Sequence, residues 1–145
     1  RETFDASVTS ISPWLDLGTG AGFPAVVIAI MRPDWPIVLV ESRVRRAEFL
    51  ARVAGELGLK RCKVLGERLE RIAPFPAAVI SARAFAPLDR LLTLSAPFST
   101  STTHYVLPKG RSAQQELNAQ KKSIRIKFHV KHSLTDAEAG ILVSI

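Results

Sequence analysis

Only one cysteine, Cys62, occurs in 145 residues. No internal disulfide can form and a zinc site built on several thiolates is excluded, so a reducing cytoplasm is the expected location. The three histidines, His104, His129 and His132, lack metal-ligand spacing, and no metal is expected. No apolar run approaches the ~20 residues of a membrane span. The opening Arg1-Glu2-Thr3-Phe4-Asp5 is polar where a secretory signal would place its apolar stretch, so neither a membrane partner nor export is expected. Acidic residues are in deficit, 13 against 20 Lys and Arg, which leaves a formal net charge of +7. Such a surplus attracts phosphates, and a polyanion is the first partner to consider.

What is present is unevenly placed. Residues 1–42 hold two basic groups, Arg1 and Arg32, against five acidic ones, whereas residues 43–71 hold nine basic and four acidic. The length suits one domain with one compact core. Short β-rich runs alternate with helical patterns, the signature of a largely parallel sheet covered on both sides. Strands are predicted at 14–17, 37–40, 62–65, 77–81 and 104–107. A helix is expected from about Phe23 to Met31, stopped by Pro33 and Pro36, and another from about Val44 to Leu57, ended by Gly58. The second puts Ala47, Leu50, Val53, Ala54 and Leu57 on one face and Arg45, Arg46 and Arg52 on the other. Arg45 and Arg46 are therefore candidates for contact with RNA phosphates. Further helices are expected from Pro87 and over 112–121. Alternation in 124–130 and the apolar 141–145 suggest two final strands with no helix between them. Five βα units followed by a hairpin give a seven-stranded, mostly parallel α/β sheet with an antiparallel end. That arrangement is typical of Rossmann-like methyltransferases that use S-adenosylmethionine.

The stretch WLDLGTGAGFP, Trp14 to Pro24, places glycines directly after the first strand, where open α/β sheets bind their ligands. The spacing Gly18-x-Gly20-x-Gly22 lacks the third glycine of a dinucleotide fingerprint, because Phe23 stands in its place, and no Gly-Lys-Ser/Thr of a P-loop follows. With Asp16 it resembles the adenosylmethionine loop, where the backbone passes close to the amino-acid part of the cofactor. Glu41, at the end of the second strand, can accept hydrogen bonds from both ribose hydroxyls. Gly20 and Glu41 are cofactor-binding candidates on this general pattern.

Longer blocks make the resemblance particular. LDLGTGAGFPAVVIAI, VLVES with RVRRAEFLARVAGELGL, ERLE, ARAFAPLDRLL and PKG resemble successive segments of the bacterial small-subunit ribosomal RNA methyltransferase G family, also called the glucose-inhibited division protein B family. The resemblance runs from about Pro13 to Ile145. It implies S-adenosylmethionine as cofactor, 16S ribosomal RNA as partner, and guanine N7 as the methylated atom. It also implies that Gly18 and Phe23 contact the cofactor, that Leu69 and Glu70 border its adenine, and that Arg83 reaches its reactive end as the catalytic candidate. Lys109 is placed at the cleft mouth as a further RNA contact. Family members carry a helical segment ahead of the first strand, so residues 1–145 are expected to form a single methyltransferase domain lacking it, acting as a monomer.

The acceptor chemistry fits. Cytosine C5 methylation would call for a cysteine nucleophile, and Cys62 opens the third strand away from the cleft. Exocyclic amines are commonly served by an Asn/Asp-Pro-Pro-aromatic run after the fourth strand, where this chain reads Ser81-Ala82-Arg83-Ala84-Phe85. Guanine N7 has an in-plane lone pair and no proton, so positioning suffices, and alignment of two bound reactants can supply roughly 7–11 kcal/mol of barrier lowering. Arg83 then has to leave N7 free and hold the cofactor carboxylate, O6 or a phosphate. Phe85 is either a stacking partner for the base or core. Alternative readings are a methyltransferase for a protein or small molecule, and an RNA-binding fragment with weak catalysis.

Overall fold

The computed structural model describes residues 11–145. The polar Arg1–Asp5 start, on which the expectation of no secretory leader rests, lies outside the described residues. Seven strands form one sheet: β1 Trp14–Leu17, β2 Ile37–Val40, β3 Cys62–Leu65, β4 Val79–Ala82, β5 His104–Gly110, β6 Phe128–His132 and β7 Gly140–Ser144. Their order is β3-β2-β1-β4-β5-β7-β6, with the first five parallel and β7 antiparallel to both neighbours. Chain order reverses between β1 and β4, and a crevice opens at such a point beyond the strands' carboxyl ends.

The central strands read as continuous apolar runs because helices cover both of their faces. Side chains alternate along β2: Ile37 and Leu39 pack with Ala25, Ala29 and Leu50, while Val38 and Val40 join the opposite layer with Leu15, Leu17, Leu88 and Leu91. The first layer is carried by α1 (Ala25–Met31) and α2 (Val44–Glu56), the second by α3 (Leu88–Ser95) and α4 (Ala113–Asn118). Two polar side chains interrupt this apolar centre. Asp16 of β1 and Ser81 of β4 stand opposite each other in register, both completely buried.

Several boundaries differ from the sequence expectation. α1 starts at Ala25, because Phe23 and Pro24 still belong to the turn of the glycine loop. α2 stops before Gly58 as expected, but Leu57 is 52 % exposed and does not join the buried face. β4 begins at Val79 and β5 runs on through Pro108, Lys109 and Gly110. The alternating 124–127 segment is not strand. Lys122–Arg125 forms a one-turn helix, α5, that packs Ile124 against the core, and pairing with β7 starts only at the buried Phe128. Ile126, which the alternation placed in a strand, is 64 % exposed. Among the described residues no helix is long and apolar enough to cross a membrane.

Candidate functional site

The loop after β1 is fastened to the end of β2. Thr19 N–H donates to Val40 O (3.2 Å), and Gly20 N–H donates to Glu41 Oε2 (3.1 Å). The other carboxylate oxygen, Oε1, accepts from Arg43 N–H at 2.9 Å, which fixes the start of α2 as well. Glu41 is only 5 % exposed, yet each of its oxygens keeps acceptor capacity beyond these single bonds. Gly18 and Gly20 have φ near +60° (+62° and +61°), a conformation that side chains other than glycine rarely adopt. A Cβ on Gly18 would also strike Phe85 Cδ2 at 2.6 Å, whereas one on Gly20 would meet nothing nearer than 3.8 Å and would fill open cleft.

Three cavities meet around residues 83–87. One of about 530 Å³ is bounded by Gly18, Glu41, Leu69, Glu70 and Phe85. A second of about 580 Å³ lies over the loop, between Gly20, Arg45, Arg46, Phe49 and Arg83. The third, about 1030 Å³, opens on the far side between Phe85, Pro108, Ser112, Thr135 and Ile141. Ala84 lines all three, and its φ of +52° is the only left-handed value at a non-glycine among the described residues. An L-residue held there stores roughly 1–2 kcal/mol of strain. Such strain persists where neighbouring contacts over-determine the backbone.

Beneath the loop lies Asp16. Ser81 Oγ donates to its Oδ1 at 2.5 Å and itself accepts from Trp14 Nε1 at 2.7 Å, while Asp16 Oδ2 has no partner. Burial pushes the Asp16 carboxyl up to about 6, against the opposing pull of the Ser81 hydroxyl and the charge of Arg83. A buried carboxylate with an unused oxygen is a standing negative charge under the cleft floor, suited to a cation held above it.

The residues singled out from the sequence fall into three groups. Gly18, Gly20, Glu41, Leu69, Glu70, Arg45, Arg46 and Arg83 all line the two cavities over the strand ends, although the Leu69 side chain is 3 % exposed and contributes only to the floor. Phe23 lies outside the cavity walls; its ring, in a residue 49 % exposed, backs the Arg83 guanidinium at 5.9 Å. Lys109 lines the third cavity, where its side chain is 7 % exposed and its ammonium is engaged internally, paired with Glu116 Oε2 at 3.0 Å and donating to Ala86 O at 2.7 Å. Phe85 is half-buried, packed on Gly18 and against the core. Arg43 and Arg68, both within the basic stretch 43–71 but not singled out there, and Arg90 join Arg46 on the rim of one cavity. Among the described residues none of these four forms an ion pair with a carboxylate. Cys62 sits at the opposite edge of the sheet, beside Asp34 and Trp35, with its thiol pushed up to about 11 by burial. Among the described residues no cluster of three or more His, Cys, Asp or Glu could hold a metal ion.

A parallel sheet reversed at β1 and β4, closed by an antiparallel β7 between β5 and β6, and carrying an acidic residue in β1 and three glycines on the turn after it, is the fold of the class I S-adenosylmethionine-dependent methyltransferases. The crystal structure of the 16S rRNA methyltransferase KamB shares it, with TM-score 0.71 at 15 % identity over 99 % of this chain and 94 % of that one. The family model for rRNA small subunit methyltransferase G matches residues 2–142, and the chain belongs to that family. The ribosomal RNA small subunit methyltransferase G of Erythrobacter litoralis is 56 % identical over 90 % of this chain, and that of Sphingopyxis alaskensis 55 % over 90 %. The chain spans 63 % and 55 % of the lengths of those two relatives.

Proposed function

We propose that this chain transfers a methyl group from S-adenosylmethionine to guanine N7 in 16S ribosomal RNA, as a cytoplasmic monomer without a metal. The observation that carries this reading is the strained 83–87 stretch, which forms a common wall between the cavities over the glycine loop and the larger cavity beyond. A donor on one side and an acceptor base on the other would meet across it.

S-adenosylmethionine, when bound, supplies an electrophilic methyl group on a sulfonium. The rest falls to the chain. The open space over Gly20 and the unpaired oxygen of Asp16 fit a ligand with a compact amino-acid end and a positive charge on its ammonium or sulfonium. Glu41 would take the vicinal ribose hydroxyls on its spare lone pairs, with Leu69 and Glu70 at the adenine. Arg83, backed by Phe23, would hold the cofactor carboxylate or the base. No residue at the common wall needs to take a proton, since N7 carries none. Labelled-methyl transfer to ribosomal RNA, run beside the full-length Erythrobacter relative and followed by nucleoside analysis, tests the reading. Label in 7-methylguanosine is the expected result, and label in any other nucleoside rejects the N7 assignment.

Two further results are expected. Glu41→Ala should weaken the demethylated product by about 1–3 kcal/mol in calorimetry, because it removes charge-assisted bonds; unchanged affinity would take Glu41 out of the ribose site. Neutralising Arg45 and Arg46 together should flatten the log–log salt dependence of RNA binding by about 0.7 per lost phosphate contact. An unaltered slope would make that face of α2 a solvated surface.

A further inference from the structure

We propose that Lys109 and Glu116 are positioning residues, a clamp that sets residues 83–87 for reaction; this rests on the methyl-transfer reading above. The pair joins three pieces of chain. Lys109, at the end of β5, donates to Ala86 O at 2.7 Å and pairs with Glu116 of α4 at 3.0 Å. Glu116 Oε2 also accepts from Leu88 N–H at 3.1 Å, so a carboxylate from α4 satisfies the first free donor of α3. Its Oε1 accepts from Ser112 Oγ at 2.8 Å. Both backbone groups held by the pair, Ala86 C=O and Leu88 N–H, lie just beyond Arg83, Ala84 and Phe85, the residues that face the cavities on both sides.

The bonds are of the strong kind. Burial alone would raise the Glu116 carboxyl, yet the bonds from Lys109 and Ser112, the Lys109 charge and the Leu88 N–H together hold it below the usual carboxylate range. Losing Lys109 leaves Glu116 with only the Ser112 and Leu88 bonds, and losing the Glu116 charge leaves the buried Lys109 ammonium with only Ala86 O, so neither half holds its geometry alone. Nothing else among the described side-chain bonds ties 84–88 to the rest of the fold. Without those two bonds the left-handed Ala84 is held only by the packing of Phe85 on Gly18 and of Leu88 in the core, which leaves room for Arg83 and Phe85 to shift.

Single-turnover methyl transfer at saturating cofactor and RNA tests this in wild type, Lys109→Met, Glu116→Gln, the double variant and Lys109→Arg. A displacement of about 1 Å at the reacting centre is worth up to about a hundredfold in rate. Lys109→Met and Glu116→Gln should each slow the saturated step at least about tenfold on that scale, with cofactor and RNA affinities within about threefold of wild type. The double variant should be no slower than the worse single variant, and Lys109→Arg should recover part of the rate. If Lys109 instead meets a phosphate, Lys109→Met would lower RNA affinity and the salt slope by about 0.7 while the saturated rate stays intact, and Glu116→Gln would tighten RNA binding. Either of those results overturns the clamp, as does a lower melting temperature with an unchanged saturated rate. A wild type that transfers no methyl to RNA rejects the proposed reaction itself. In that case hydrogen exchange at Leu88 still decides the clamp: faster exchange in both single variants supports it, and wild-type protection overturns it.

Discussion

Asp16→Asn should give a protein that is more stable at neutral pH and a poorer binder of its cofactor. The Asp16 carboxyl titrates near 6 in the folded chain against an ordinary value of 3.8, because burial opposes its charge. Below about pH 4 both folded and unfolded states hold the proton, and this group contributes no slope. Between about pH 4 and 6 the folded state keeps a proton that the unfolded state has released, so stability falls as pH rises through that window and levels off above it. The full loss is on the order of 3 kcal/mol. Asparagine retains an acceptor for Ser81 and cannot ionise. Urea denaturation at pH 4 and pH 7.5 should therefore show the two proteins nearly equal in acid and the variant ahead at neutral pH, by up to about 3 kcal/mol. Equal stability at both values would show that the buried charge carries no penalty. Cofactor affinity should move the other way, and further for S-adenosylmethionine than for its demethylated product, because only the former adds a sulfonium charge above the Asp16 carboxylate. Equal loss for both would deny Asp16 an electrostatic part.

Arg83→Ala should slow methyl transfer by about 10²–10³, the usual effect of removing one preorganised donor aimed at a reacting centre. Arg83 is exposed, forms no ion pair among the described residues and leans on the Phe23 ring, so the substitution disturbs little of the fold. Lysine should restore the rate poorly, since a point charge on a flexible stem does not reproduce a planar fork stacked on an aromatic face. Between about pH 7 and 9 the single-turnover rate should be flat in all three proteins, as N7 of neutral guanine carries no proton and alignment needs no side chain to take one. A near-wild-type rate for the alanine variant would remove Arg83 from the site. A profile governed by one ionisation in that range would show that a side chain takes or gives a proton, against catalysis by alignment alone. The substitution also removes a positive charge that pulls the Asp16 carboxyl down, so the acid-side stability slope of Arg83→Ala should extend to higher pH than in wild type.

Much of the site was legible because its parts are local. The glycines of the first turn are adjacent in sequence, and Glu41 ends an apolar strand, so both could be placed over the strand ends without knowing what packs where. The rim arginines and Lys109 could not. Arg68 and Arg90 lie in segments from which only Leu69, Glu70 and Arg83 were singled out, and they reach one cavity because β3 and β4 flank β2 and β1 in the sheet. Lys109 sits in a short Pro-Lys-Gly run with the look of a surface turn, yet β5 continues through it and aims its ammonium inward at Glu116, seven residues on.

The sequence by itself determined the alternation of strand and helix, the breaks before Pro33 and Gly58 and the turn that exposes backbone beyond β1. These follow from side-chain volume, hydrophobic period and φ preference within a few residues of each other. Tertiary structure decided the rest. Alternation of Ile124, Ile126 and Phe128 reads as strand in isolation, but Phe128 is buried, Ile124 packs on the core from a helical turn, and Ile126 is left exposed. The partnership of Asp16 with Ser81, 65 residues apart, exists because β1 and β4 pair in parallel register; that pairing strips the carboxylate of water and raises its proton affinity. Charge in a protein is fixed by composition, but its cost and its use depend on what surrounds it, and those surroundings form only when distant segments close on one another.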